Sequence, residues 1–182
     1  MKPPLLSAVF LDRDGVLNSA IVKKGKPHPP SSVEDLEIQE DVLPCLVSLR
    51  KAGFVLIGIT NQPDVARGTQ TREAVELINK TLLDKLPLAD IKVCYHDEAD
   101  HCDCRKPLPG LILQASDEYG IDLASSYMVG DRWKDVEAGQ RAGCRSIWID
   151  CGYDEIGPDL ALTERVLSLR EAAALILERA QG

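Results

Sequence analysis

The chain has 182 residues, 45% of them hydrophobic and 27% charged, and a net charge of −8. That length suits one domain, residues 1–182, with a substantial core. The acidic balance argues against a general nucleic-acid binder, since phosphate backbones attract basic surfaces. No apolar segment is long enough to cross a bilayer, and Met1 to Ser7 is too short and too proline-rich for a signal peptide. The expectation is a cytoplasmic monomer with no membrane or nucleic-acid partner.

Residues 8–11, AVFL, form a continuous apolar run that reads as a strand buried on both faces, as in a parallel sheet. The run stops at Asp12, Arg13, Asp14 and Gly15. Two carboxylates therefore stand at a strand's carboxyl end, where open α/β sheets bind ligands. Residues 19–33 hold Lys23, Lys24, Lys26, His28 and three prolines, which argues for a loop over the crevice mouth without a regular element. Residues 41–52 place Val42, Leu43, Leu46, Val47 and Leu49 on a helical period, and Gly53 ends that helix. Residues 55–59 are a second strand, finishing at the polar cluster Thr60-Asn61-Gln62-Pro63. Residues 71–86 read as an amphipathic helix whose Ala74, Val75, Leu77, Ile78, Leu82 and Leu83 share a face.

Residues 91–94 suggest a third strand, and residues 95–109 an irregular segment bearing cysteines. A helix over 108–119 stops at Gly120, and a strand over 126–129 leads to Gly130 and Asp131. A helix over 134–142 stops at Gly143, residues 146–149 are the last clear strand, and a final helix covers 166–179. Strands that alternate with helices in this way specify an α/β fold. It is a three-layer, Rossmann-like parallel sheet with helices on both faces. No large insertion follows Gly15 or Thr60, so no cap domain is expected over the site.

In a parallel sheet the strand ends converge on one crevice. They supply Asp12 and Asp14, then Thr60 and Asn61, then Asp131, with Asp135 one helical turn further; the loop before the third helix supplies Arg105 and Lys106. Asp12, Asp14 and Asp131 around one point repel each other unless a hard cation sits between them, and such oxygen ligands suit Mg²⁺. A lysine and a threonine hydroxyl nearby would hold a phosphoryl group. Together these are the parts of a phosphoryl-transfer site. Cys94, Cys102 and Cys104 crowd beside His96, and three thiolates with one imidazole make a closed tetrahedral zinc site. Such an ion would staple the loop that carries Arg105 and Lys106. Cys45, Cys144 and Cys151 read as ordinary buried or half-buried residues.

The stretches FLDRDGVLN, ITNQ, RKP and VGDRWKD resemble the haloacid dehalogenase superfamily of aspartate-nucleophile phosphatases, over nearly the whole of residues 9–152. The resemblance implies that Asp12 attacks phosphorus and becomes an aspartyl phosphate. Asp14 would act as general acid and then general base. Asp12, the backbone carbonyl of Asp14 and Asp131 would bind Mg²⁺, Thr60 and Lys106 would orient the transferring group, and Asp135 would support from behind. The Cys-x-His and Cys-x-Cys-Arg-Lys-Pro pattern narrows the resemblance to two zinc-containing groups. These are the D-glycero-D-manno-heptose 1,7-bisphosphate 7-phosphatases of surface-glycan (lipopolysaccharide) synthesis and the histidinol-phosphate phosphatases. The segments Thr60 to Gly68 and Ser126 to Asp131 look closer to the first. That group implies Arg105 in substrate recognition, with the loop after Asn18 and the segment Asn61 to Arg67, including Asn61, Gln62 and Arg67, as contacts to a small sugar phosphate. A bisphosphate's second charge needs cations, and Arg67, Arg105 and Arg132 are available as substrate contacts. Tyr95 replaces the proline usual between Cys and His, Pro63-Asp64 replaces a smaller, less charged pair, and residues 19–33 match neither group. A catalytically idle, zinc-stabilised scaffold is the third reading, opposed by the filling of every catalytic position.

Overall fold

The computed structural model describes residues 5–181. In chain order its elements are β1 (Ala8–Leu11), β2 (Ile21–Lys23), β3 (Lys26–His28), α1 (Val42–Lys51) and β4 (Val55–Asn61). They continue with α2 (Arg72–Lys85), β5 (Asp90–Cys94), α3 (Gly110–Tyr119), β6 (Tyr127–Gly130) and α4 (Trp133–Ala142). The last three are β7 (Arg145–Ile149), β8 (Thr163–Val166) and α5 (Leu169–Gln181). Six strands form one sheet in the order β5-β4-β1-β6-β7-β8, and every neighbouring pair runs parallel.

The apolar run of β1 earns its central place because it has two faces to bury. Val9 and Leu11 enter a core with Leu46 and Leu49 of α1, Ile78 and Leu82 of α2, and Ala172 and Ile176 of α5. Ala8 and Phe10 enter the opposite core with Leu111, Ile112 and Ala115 of α3 and Ala138 of α4. Alternate side chains of one strand thus hold two helical layers. The expected three-layer α/β architecture is the one observed.

Three local expectations need correction. Residues 19–33 do contain a regular element, the antiparallel hairpin β2–β3. Its turn places Lys24 and Gly25 at φ 52° and 74°, as a two-residue hairpin turn requires. Pro27 faces Val22, one pair beyond Lys23 and Lys26. By the alternation of an antiparallel ladder that pair exchanges no hydrogen bonds, so the missing N–H costs nothing. Second, residue 166 ends a strand rather than starting a helix: β8 is a sixth strand at the sheet edge. The helix begins after Ser168, whose Oγ accepts the Glu171 N–H at 3.2 Å while Glu171 reaches back to the Leu167 N–H at 2.8 Å. This Ser-x-x-Glu start is a sequence signal in its own right. Third, α2 buries Val75, Ile78, Asn79 and Leu82, while Leu77 and Leu83 face solvent. No helix among the described residues is long and apolar enough to cross a membrane.

Candidate active site

β1 lies between β4 and β6, so the chain departs from it to one side and later returns on the other. A crevice opens at the carboxyl ends of strands at such a reversal. Asp12 follows β1 directly and is pinned there by its N–H, which donates to the Val129 carbonyl of β6 at 2.9 Å. Lys106 comes from the loop before α3. Its buried ammonium donates to Asp12 Oδ1 at 2.6 Å and to the Ile59 carbonyl at 2.7 Å, and pairs with Asp135 Oδ1 at 2.6 Å. Asn61 fixes the backbone that carries this lysine. Its Oδ1 accepts the Lys106 N–H and its Nδ2 donates to the Lys106 carbonyl, each at 3.0 Å.

Asp12, Asp131 and Asp135 each offer an oxygen, and these oxygens lie within 4.8 Å of one another. Asp135 therefore takes the place in the carboxylate trio that the sequence reading gave to the side chain of Asp14. Burial, then the charge of Asp135, raises the Asp12 pKa to about 6, against the pull of Lys106. Burial, with Asp12 and Asp135, pushes Asp131 well above the usual carboxylate range. Both buried oxygens of Asp131 lack a well-aligned hydrogen-bond donor, although the nearby Tyr153 hydroxyl draws its pKa down somewhat. Two orphaned anionic oxygens beside two more carboxylates are what a hard divalent cation requires of its site. Gly15, at φ 100°, allows this closeness, because a Cβ there would sit 1.9 Å from Asp131 Oδ2.

Asp14 is held apart from that trio by three donors: Arg13 Nη2 at 3.0 Å, Asn18 Nδ2 at 3.1 Å and Gln62 Nε2 at 2.8 Å. Its side chain still lines the crevice, with Thr60 and Asn61. Gln62 is buried beneath the wall, bonded to Asp14 and Thr60, and does not reach the crevice as a substrate contact would. Arg67, Arg105 and Arg132 do line it. Sequence reasoning missed Arg13, whose side chain is wholly buried and bridges Asp14 to Asn79 of α2 at 2.9 Å. An arginine between two aspartates on a buried strand end was the available signal. It also missed Trp148, whose Nε1–H holds the Asp131 carbonyl at 3.0 Å.

The second cluster assembles as expected. The sulfurs of Cys94, Cys102 and Cys104 lie 3.3–3.7 Å apart, and His96 presents Nδ1 to Cys94 at 3.7 Å and to Cys104 at 3.3 Å. Zn–S bonds of about 2.3 Å in a tetrahedron imply ligand spacings of about 3.8 Å. Burial pushes the Cys94 and Cys104 thiols up, whereas hydrogen bonds to Cys104 and the backbone outweigh burial and bring Cys102 down to about 7. Three sulfurs this close cannot all carry charge without a cation among them. The fourth position is filled by protein, so this cluster has no opening for a substrate. Cys45 and Cys144 are buried, whereas Cys151 is exposed, contrary to expectation.

A family model described as HAD-hydrolase-like matches residues 103–165. The D-glycero-β-D-manno-heptose-1,7-bisphosphate 7-phosphatase of Yersinia pestis is 38% identical over 143 residues, covering 72% of this chain and 73% of that protein. The protein of the same name from Helicobacter pylori is 38% identical over 141 residues, covering 74% and 78%. The crystal structure of D,D-heptose 1,7-bisphosphate phosphatase from B. bronchiseptica, complexed with magnesium and phosphate, is 27% identical. It superposes with a TM-score of 0.81 over 96% of this chain and 99% of that one. Fold, site and relatives agree on one class of enzyme, the phosphatases built on a parallel α/β sheet. The chain belongs to the haloacid dehalogenase-like hydrolase family, in the branch of these bisphosphate phosphatases.

Proposed function

We propose that this phosphatase removes one phosphate from a sugar bisphosphate, D-glycero-D-manno-heptose 1,7-bisphosphate, through an aspartyl-phosphate intermediate on Asp12. The observation that carries the reading is Lys106 Nζ, 2.6 Å from Asp12 Oδ1 and beside the orphaned Asp131 carboxylate. Asp12 Oδ1 shares its charge with the lysine, which leaves its second oxygen to attack phosphorus. Lys106 and the Thr60 hydroxyl neutralise and orient the oxygens of the transferring group. Asp14 donates a proton to the leaving oxygen and then takes one from the water that cleaves the acyl phosphate, restoring Asp12. Asp12, Asp131 and the Asp14 carbonyl would hold Mg²⁺, whose charge would offset that of the transferring phosphoryl group. The soft donor set of Cys94, His96, Cys102 and Cys104 suits Zn²⁺ and would fix the loop bearing Arg105 and Lys106.

The crevice, of about 310 Å³, is polar and lined by carboxylates together with the cations Arg67, Arg105, Lys106, Arg132 and Lys134, a lining that suits a small sugar phosphate held with a metal ion. The experiment is phosphate release from heptose 1,7-bisphosphate and from histidinol phosphate, with and without Mg²⁺, by wild type and Asp12→Asn. Expected is a preference for the heptose, lost by at least about 10⁴-fold in kcat in the variant. Turnover that survives Asp12→Asn, or a preference for histidinol phosphate, overturns the reading.

A further inference from the structure

Asp14 has to hold its proton toward the leaving oxygen, yet a carboxyl at a strand end can turn more than one way. Arg13 grips it from one edge, through Nε to both oxygens at 3.2 Å and through Nη2 to Oδ2 at 3.0 Å. Two amide side chains complete the grip. Asn18 Nδ2 donates to Oδ1 at 3.1 Å, and Gln62 Nε2 donates to Oδ2 at 2.8 Å.

Both amides are almost fully buried, at 2% and 1% exposure, and neither lines the crevice. Each divides its amino group between Asp14 and a neighbour. Asn18 also donates to the Ser19 carbonyl at 3.0 Å, and Gln62 to the Thr60 hydroxyl oxygen at 2.8 Å. Each leaves its amide oxygen buried without a donor. An unpaired buried acceptor destabilises the fold, so the two amides are oriented for what their amino groups hold. Their backbones are fixed as well. The Asn18 N–H donates to the Arg13 carbonyl at 3.1 Å, and the Asn18 carbonyl accepts the Gly15 N–H at 2.7 Å. The Gln62 N–H donates to the Cys94 carbonyl of β5 at 2.7 Å.

We propose that Asn18 and Gln62 are positioning residues for the acid–base step: with Arg13 they clamp Asp14 so that its proton can leave only toward the crevice. The proposal rests on the phosphatase reading above and gives these two side chains a part in it other than touching the sugar. Every group that the clamp turns toward Asp14 is an N–H donor, which cannot receive a proton. As Asp12 bonds to phosphorus, the bond from phosphorus to the leaving oxygen breaks, and its electron pair stays on that oxygen. The oxygen takes the proton of Asp14, and the carboxylate left behind is already met by Arg13, Asn18 and Gln62. Gln62 has a second effect. Because Thr60 Oγ1 accepts from it, the Thr60 hydroxyl hydrogen is left for the transferring phosphoryl group.

The test compares kcat/KM for two esters in wild type, Gln62→Met, Asn18→Ala and, as reference, Asp14→Asn. One is heptose 1,7-bisphosphate, whose leaving alkoxide needs a proton; the other is p-nitrophenyl phosphate, whose phenolate leaves without one. The heptose-to-nitrophenyl ratio should fall about tenfold or more in Gln62→Met and in Asn18→Ala, part of the roughly 10²–10⁴ that a positioned acid supplies. It should fall further in Asp14→Asn. Any loss through Thr60 falls on both esters and cancels in the ratio. An unchanged ratio, whether activity is kept or lost equally on both esters, leaves the two amides a structural role only and overturns the proposal. Wild type that cleaves p-nitrophenyl phosphate but not the heptose overturns the substrate reading alone. Fructose 1,6-bisphosphate then serves as the alkyl ester, and the ratio still decides the clamp.

Discussion

Asn61 and Lys106 grip each other through two reciprocal hydrogen bonds of 3.0 Å, one in each direction between an amide side chain and a peptide group. The strand end of β4 thereby sets the position of a lysine 45 residues further along the chain. Asn61→Ala removes both bonds and frees the Lys106 backbone to drift from Asp12. Drift of about 1 Å can cost about 100-fold. The expected outcome is a fall in kcat of about 10- to 100-fold with the fold intact by circular dichroism. Asn61→Asp keeps the acceptor but loses the Nδ2 donor, so its kcat should lie between alanine and wild type. Equal kcat in all three would break the link.

The metal-free protein should lose stability as pH rises. Asp12, at about 6, and Asp131, well above the usual range, bind protons more tightly folded than unfolded, where carboxyls titrate near 3.8. Their stabilising contribution is complete below that lower value and is lost as pH climbs through about 6 and beyond. Chelator-treated protein should therefore melt lower at about pH 8 than at about pH 5 on this account. A divalent cation takes the place of those protons. The gain in Tm on adding Mg²⁺ should be larger at the higher pH, as scanning fluorimetry would record. A gain independent of pH would contradict the convergence of these carboxylates.

Arg13 is wholly buried, and its loss leaves Asp14 with only the neutral donors Asn18 and Gln62. Arg13→Met keeps most of the volume but leaves a shielded carboxylate without its cation and Asn79 without a donor. Breaking one side of a buried pair costs about 3–5 kcal/mol. Urea unfolding should show a loss of that order, and a variant as stable as wild type would refute the account.

Removing the zinc proposed for the sulfur cluster should act on both stability and catalysis. Zinc analysis should find about one ion per chain, since one four-ligand cluster is present among the described residues. Cys102→Ala should lower Tm by about 10 °C or more, because such binding is part of the folding free energy. It should also lower kcat, since Arg105 and Lys106 follow Cys104 directly. Full activity in zinc-free protein would separate the cluster from the site.

What the sequence disclosed follows from where the physics is local. The strand of residues 8–11 was legible because its four apolar residues need two covered faces, and Gly53, Gly120 and Gly143 marked helix ends where φ turns positive. The convergence of Asp12 and Asp131 followed from parallel topology, whereas Lys106 stands on a loop and its place beside them was implied by the RKP resemblance. The hairpin β2–β3 was hidden because Pro27 argues against a strand unless its register is known. β8 was hidden because an edge strand buries little, so Thr163–Val166 carries no apolar run. The exchange of Asp14 for Asp135 in the carboxylate trio depended on where side chains point, which spacing does not encode. So did the withdrawal of Gln62 from the crevice.

The sheet order also bears on how the polypeptide matures. β1 is flanked by β4, which begins at Val55, and by β6, which begins only at Tyr127. While the ribosome is still extending the chain toward Tyr127, one side of β1 has no partner, and its row of peptide groups is open to other chains. Nascent protein stalled in that interval should be aggregation-prone and should bind holdase chaperones, and release past β6 should end both behaviours.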